Sequence, residues 1–323
     1  MPVVTVRNPG TGELLGELPA HDAGQVAAII EAAQDGQRAM AALPAHERAD
    51  LLRRVADRIE AEQEALAGLL AAENGKPIQQ TRGEVEAAVR IFRGYAGEAT
   101  RLFGRQIPLD AVPGLERHLA VTIREPLGVV AALVPFNYPV ELYAHKAAAA
   151  LAAGNAVVVQ PPARCPLAVQ RVAQLVEEAG APANAHQLVI GGADVSQQLA
   201  GAAGIAAVTL TGSTEAGREI ARRAAATSPA AAICCGVSAS TKSSRTARRW
   251  GTVACRNDSA PAGLSTTSAP RLSAAHSSRR IRPRRSIRPR WWERRLRSQP
   301  MVAARSEERI CCSGASLRAS MTT

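Results

Sequence analysis

Val129-Val130-Ala131-Ala132-Leu133-Val134 runs straight into Pro135-Phe136-Asn137-Tyr138-Pro139, and this junction decides the fold. An unbroken apolar run of that length matches a strand buried on both faces. The proline-bounded turn then hands the chain to an apolar helix over 140–153. Gly154-Asn155 stops that helix, and residues 156–159 repeat the buried run. A helix over 166–178, a strand over 188–190 with Gly191-Gly192 behind it, a helix from an Asp194 cap to 200, a strand over 205–210 and a helix over 214–226 follow. Residues 126–226 thus read as four consecutive strand–helix units. Such alternation requires right-handed crossovers and a parallel sheet, with ligands at the carboxyl ends of the strands. The predicted class is α/β, a parallel sheet with flanking helices.

Upstream, Asn8-Pro9-Gly10-Thr11-Gly12 is a turn between short extended pieces. Asp22 caps a helix to about 42, which Pro44 ends. A second helix spans 45–74, with Leu51, Leu52, Val55, Ile59, Leu66, Leu69 and Leu70 at helical spacing, and Gly75-Lys76-Pro77 stops it. A third spans 81–102, and residues 118–123 alternate like a strand. The predicted organisation is a helical region with a strand arm over 1–125, a dinucleotide-binding α/β domain over 126–229 and a basic tail over 230–323.

Charge separates the tail from the rest. Residues 1–230 hold 20 Lys+Arg against 24 Asp+Glu, and residues 231–323 hold 19 against 4, so the net charge of +11 comes from the tail alone. Serine changes with it: Ser196, Ser213 and Ser228 precede residue 230, and 16 follow. A segment rich in Arg, Ser and Pro with few periodic apolar residues cannot bury enough surface to fold. Disorder is expected there, with a largely irregular backbone. The composition fits a GC-rich gene read out of frame. The competing reading is an anion-binding segment, because the arginine-rich run over 279–297 contains Trp291 and Trp292. The frameshift reading is preferred, so nucleic acid is not the expected partner. Five of the six cysteines (Cys234, Cys235, Cys255, Cys311, Cys312, with Cys165 the sixth) lie in the tail without the spacing of a zinc site or disulfide framework. No apolar run reaches membrane-spanning length and the start lacks a leader pattern, so no membrane association and a cytoplasmic location are expected.

Two motifs carry chemistry. Thr211-Gly212-Ser213-Thr214-Glu215-Ala216-Gly217 lies between an apolar strand and an amphipathic helix. Free N–H groups at a helix start, with the helix dipole behind them, favour a pyrophosphate. Gly212 lets backbone approach it and Ser213 adds a hydroxyl; the alternative is an ordinary helix cap. Asn137, between prolines at the end of a buried strand, can donate its carboxamide N–H to an oxygen that becomes negative in a transition state. The alternative is a turn asparagine. Taken together the motifs point to a dinucleotide-dependent enzyme.

Arg124-Glu125-Pro126-Leu127-Gly128-Val129-Val130, the Pro135–Pro139 motif just quoted, His145-Lys146, Leu151-Ala152-Ala153-Gly154-Asn155-Ala156-Val157-Val158-Val159 and the Gly212–Gly217 motif occur in order. Through them, residues 1–226 resemble the N-terminal half of the NAD(P)-dependent aldehyde dehydrogenase superfamily. The resemblance implies oxidation of a small-molecule aldehyde to a carboxylate with NAD or NADP. It implies that Asn137 stabilises the thiohemiacetal oxyanion and that Pro135 and Phe136 line the nicotinamide. It further implies that Gly212, Ser213, Glu215 and Gly217 form the pyrophosphate cradle, that Gly192 lies in the loop beside the adenine, and that Lys146 sits behind the active site, where a solvated helix lysine is the alternative. No metal site is implied. Family members are dimers or tetramers, which implies a homo-oligomer, although the family's bridging strand is absent here.

The chain departs from the family where lysine usually grips the adenosine ribose; here stands Gln160, which can hydrogen-bond but brings no charge, and it is expected among the cofactor-binding residues. Ala163-Arg164 replace the acidic residue that favours an unphosphorylated ribose, which leaves NAD against NADP open. The general-base glutamate of Glu-Leu-Gly-Gly finds Ala232-Ile233-Cys234-Cys235-Gly236-Val237 in its place, and Cys255 comes too early to be the nucleophile. The expectation is a truncated, catalytically impaired aldehyde dehydrogenase-like chain. A CoA-acylating relative and a non-catalytic protein with a basic nucleic-acid-binding tail are the alternatives.

Overall fold

A computed structural model describes residues 2–227, 232–237 and 308–311. β1 (Val3–Arg7) and β2 (Leu14–Pro19) form an antiparallel hairpin across the Asn8–Gly12 turn. α1 (Ala23–Ala42) opens with a capping box. The Asp22 side chain accepts from the Gln25 N–H and the Gln25 side chain accepts in return from the Asp22 N–H. α2 (Ala45–Ala61), α3 (Gln63–Asn74) and α4 (Ile78–Ala99) follow. The expected single helix over 45–74 is therefore two, broken at Glu62. No proline or glycine marks the break. It is held by a tertiary fork, in which Arg171 donates to both carboxylate oxygens of Glu62 at 2.8 and 2.5 Å. α3 ends at Gly75, whose φ of 80° is the left-handed conformation that glycine adopts without strain.

The strand arm holds β3 (Gln106–Ile107) and β4 (Ala120–Arg124), paired antiparallel. The main sheet begins with β5 (Val129–Leu133), then α5 (Pro139–Ala152), β6 (Ala156–Gln160), α6 (Leu167–Glu178), β7 (His186–Leu188), α7 (Ala193–Gly201), β8 (Ala207–Gly212) and α8 (Thr214–Thr227). All its pairings are parallel, in the order β7-β6-β5-β8-β9, where β9 is Ala232–Val237. The α/β class and parallel sheet are thus as read from the sequence, while β7 lies two residues earlier than expected. Asp194 falls within α7 rather than capping it; the cap position is Gly192, with no side-chain hydrogen bond.

Burial of both faces explains the apolar runs. Val130, Ala132 and Val134 join the core shared with α2–α6. Val129, Ala131 and Leu133 join the core shared with α1, α7 and α8. Alanines of α5 let it lie close between the sheet and α4.

Two tail segments have regular backbone. β9 extends the sheet beside β8, and β10 (Glu308–Cys311) pairs antiparallel with β4. The expected disorder or frameshift concerns positions that otherwise lie outside the described residues. No helix among the described residues is long and apolar enough to cross a membrane.

α1 meets the turn before β7 with no room to spare. A Cβ on Gly36 would lie 2.1 Å from the carbonyl carbon of Asn184, itself at a φ of 63°. Gly36→Ala is expected to lower stability by about 1–3 kcal/mol, as overpacking does, measured by urea unfolding.

Candidate active site

β5 leads through α5 to β6 and through α6 to β7, running to one side; β8 then returns to the other side of β5. The strand order reverses between β5 and β8, and in open parallel sheets ligands bind beyond the carboxyl ends of the strands at such a reversal. Leu133 pairs with Leu210 in register. Asn137 follows β5 by four residues and Ser213 follows β8 at once, so both stand at the same end of neighbouring strands.

Ser213 caps α8. Its Oγ accepts from the Ala216 N–H at 3.2 Å, and its carbonyl accepts from the Gly217 N–H at 2.9 Å. The cap and the cradle are compatible, because the capping oxygen keeps its own proton free to donate. The N–H groups of Thr214 and Glu215 precede the first intrahelical bond and both residues are exposed. Among the described residues, a Cβ on Gly212 would meet only Leu210, at 3.6 Å.

Asn137 is exposed, and its carboxamide makes no hydrogen bond among the described residues. Its neighbours are held from below. The Asn74 side chain donates to the Phe136 carbonyl at 2.8 Å, and Lys76 Nζ lies 4.0 Å from the centre of the Tyr138 ring. Glu84 Oε1 accepts from the Val140 N–H at 2.8 Å and the Glu141 N–H at 3.4 Å, while its Oε2 pairs with Lys76 at 2.6 Å. Pro135 is half-buried, and the Phe136 ring carries the Arg164 guanidinium at 5.2 Å.

Gln160, at the end of β6, is buried and fully engaged. Its N–H₂ donates to the carbonyls of Gly191 and Gly192 at 3.0 and 2.7 Å, and its oxygen accepts from Ser196 Oγ at 2.7 Å. It therefore fixes the loop that holds Gly192. Lys146 is not a solvated lysine. It is buried on the sheet side of α5, and Nζ donates to Thr211 Oγ1 at 2.8 Å.

Sequence reasoning missed Asn74, Glu84 and Glu73. Glu73 accepts the N–H groups of Leu167 and Ala168 at 2.7 and 2.8 Å and so caps α6, whose own cap residue, Pro166, offers no side chain. The two glutamates carried a signal, a carboxylate on an apolar helix face: Glu73 follows Leu66 and Leu70 at helical spacing, and Glu84 precedes Ala88 by four; Asn74 carried none. Burial pushes the Glu73 carboxyl up to about 7, outweighing the two N–H bonds that favour the ion. Cys165 is buried beside it, and burial drives its thiol well above the usual range. Cys234, Cys235, Cys255, Cys311 and Cys312 have side chains outside the described set. Among the described residues no cluster of His, Cys, Asp and Glu could hold a metal.

The sequence profile of the aldehyde dehydrogenase family matches residues 2–241. Aspartate-semialdehyde dehydrogenase 1 of Pseudomonas canavaninivorans is 36% identical over 223 residues, which is 69% of this chain and 47% of that protein. The structure of glyceraldehyde-3-phosphate dehydrogenase GapN from Methanocaldococcus jannaschii DSM 2661, complexed with NADP, superposes with a TM-score of 0.67 at 31% identity over 72% of this chain and 50% of that one. An NAD-dependent benzaldehyde dehydrogenase from Corynebacterium glutamicum superposes with a TM-score of 0.69 at 29% identity over 73% and 51%. The chain spans about half the length of the curated relatives it matches.

The raised Glu73 carboxyl makes stability depend on pH. Its folded value lies above the ordinary 4.5, so the neutral form favours the fold. That contribution is complete below about 4.5 and is lost as pH rises through about 7. Glu73→Gln is expected to remove this loss. The stability difference between variant and wild type should grow in the variant's favour from pH 4.5 to pH 8 by up to about 3 kcal/mol, read from urea unfolding at each pH.

Proposed function

The chain belongs to the aldehyde dehydrogenase family, and from that premise we propose that residues 126–229 bind NAD or NADP across the reversal between β5 and β8. The observation that supports this most directly is that Asn137 and Ser213 stand at the same end of paired, parallel strands. The pyrophosphate end fits the residues present. Two exposed N–H groups, a serine hydroxyl with a free proton and a glycine without a side chain meet at the start of α8. Glu215 and Gly217 belong to that first turn. Gln160 contributes indirectly, by holding Gly192 in place, because its carboxamide has no donor left for a ribose. Pro135 and Phe136 flank the nicotinamide position.

When bound, the dinucleotide supplies a hydride acceptor for aldehyde oxidation. Asn137 is the residue placed to donate an N–H to the aldehyde oxygen as it becomes an oxyanion. The chain's weakness lies in the nucleophile. Cys165 is held as a buried thiol far from its thiolate form. β9 runs through Ala232–Val237, where the sequence offers no carboxylate to activate water. We therefore assign this chain cofactor binding with impaired turnover.

Calorimetric titration of the full chain with NAD+ and with NADP+ is expected to show saturable binding of at least one. Gly212→Ala should weaken it about tenfold without lowering the melting temperature, because among the described residues the added methyl meets only Leu210 and it would crowd a pyrophosphate at the start of α8. Absence of binding by either dinucleotide, or indifference to Gly212→Ala, refutes the reading. With an aldehyde present, no steady formation of NADH or NADPH is expected by absorbance.

A further inference from the structure

We propose that Glu84, with Lys76 and Asn74, forms a cradle that positions the loop carrying Asn137, and that Glu84 is its central positioning residue. The inference rests on the cofactor reading above for its functional meaning.

α5 has an unusual beginning. Its cap residue, Tyr138, makes no side-chain hydrogen bond, and its first residue, Pro139, has no N–H. The next two donors, on Val140 and Glu141, would be orphaned next to the core, since Val140 is buried. Glu84 reaches them from α4 and accepts both. Its side chain is 0% exposed, so its charge needs a partner, and Lys76 supplies one at 2.6 Å. The same ammonium lies over the Tyr138 ring, and Asn74, two residues earlier, takes the Phe136 carbonyl. Residues 136, 138 and 140 are thus each tied to the segment 74–84. Residue 137, between them, is exposed, and its carboxamide is unclaimed among the described residues. A turn pinned at three alternate points fixes the direction of the side chain it presents. A preorganised donor needs this, because a misplaced amide cannot meet an oxyanion.

Amide hydrogen exchange of the full chain, followed by NMR, tests this directly. The Val140 and Glu141 amides depend on Glu84; the Leu167 and Ala168 amides depend on Glu73 and serve as internal references. Glu84→Ala is expected to speed exchange at Val140 and Glu141 roughly tenfold or more relative to those references, the size of one charge-assisted hydrogen bond. It should also weaken dinucleotide binding. Glu84→Gln leaves the Lys76 ammonium without its carboxylate and should show the same loss. Lys76→Met combined with Glu84→Gln keeps an acceptor, removes both charges and should recover most of the protection. Unchanged exchange at Val140 and Glu141, or equal loss at Leu167 and Ala168, overturns the proposal. If Glu84→Ala fails to fold, the comparison of Glu84→Gln with the double variant decides, and equal behaviour of the two overturns it. The cofactor reading fails separately. If the amides respond as expected while no dinucleotide binds, the cradle stands and that reading falls. Binding with indifferent amides sinks the cradle alone.

Discussion

Buried helix starts impose the constraint on which the functional end of this molecule depends. A donor at the first turn of a helix has no partner within the helix, and away from water it costs on the order of 1–3 kcal/mol if left unpaired. α5 and α6 both begin against the core with residues that offer no cap of their own. The α3–α4 pair solves both cases with carboxylates, Glu73 for α6 and Glu84 for α5. The helical region therefore does more than cover one face of the sheet. It determines where the loops beyond β5 and β6 end, and the first of those loops stands at the strand reversal.

The two glutamates solve the same problem in different electrostatic settings. Glu84 has an ammonium at 2.6 Å, whereas Glu73 has two backbone N–H donors, the Cys165 thiol and the like charge of Glu84. Burial with no cation at hand is why the Glu73 carboxyl is shifted towards neutrality. Lys146 is a third buried ion on the same side of the sheet, held by threonines of β8.

Much of the sheet was legible because strands buried on two faces are mostly apolar: β5 is so throughout, β6 up to Gln160, and β8 apart from Thr209 and Thr211. β7 was displaced because its first residue, His186, reads as polar. In the fold it is buried, with Nε2 bonded to the Tyr143 hydroxyl at 2.8 Å, a contact that sequence spacing does not reveal. The break at Glu62 was invisible for the same reason: Arg171, over a hundred residues away, fixes it. The motif residues stood out by type and by place after strands, whereas their supports did not. Asn74 reads as a surface residue at the end of α3, and only the fold brings it to the Phe136 carbonyl. Gln160 was read for what it lacks relative to lysine, and the fold shows what it holds instead.

The position of β8 has a consequence for assembly of the chain. Val130 pairs with Ala207 only after two strands and three helices of intervening sequence have been made, whereas β5 and β6 are joined by a single helix. Pairings that close long stretches of chain are entropically late. The pairing of β5 with β8 is therefore expected to form after that of β5 with β6, and a dinucleotide bound at the strand reversal, as proposed, would act as a clasp on the closed sheet, slowing its reopening.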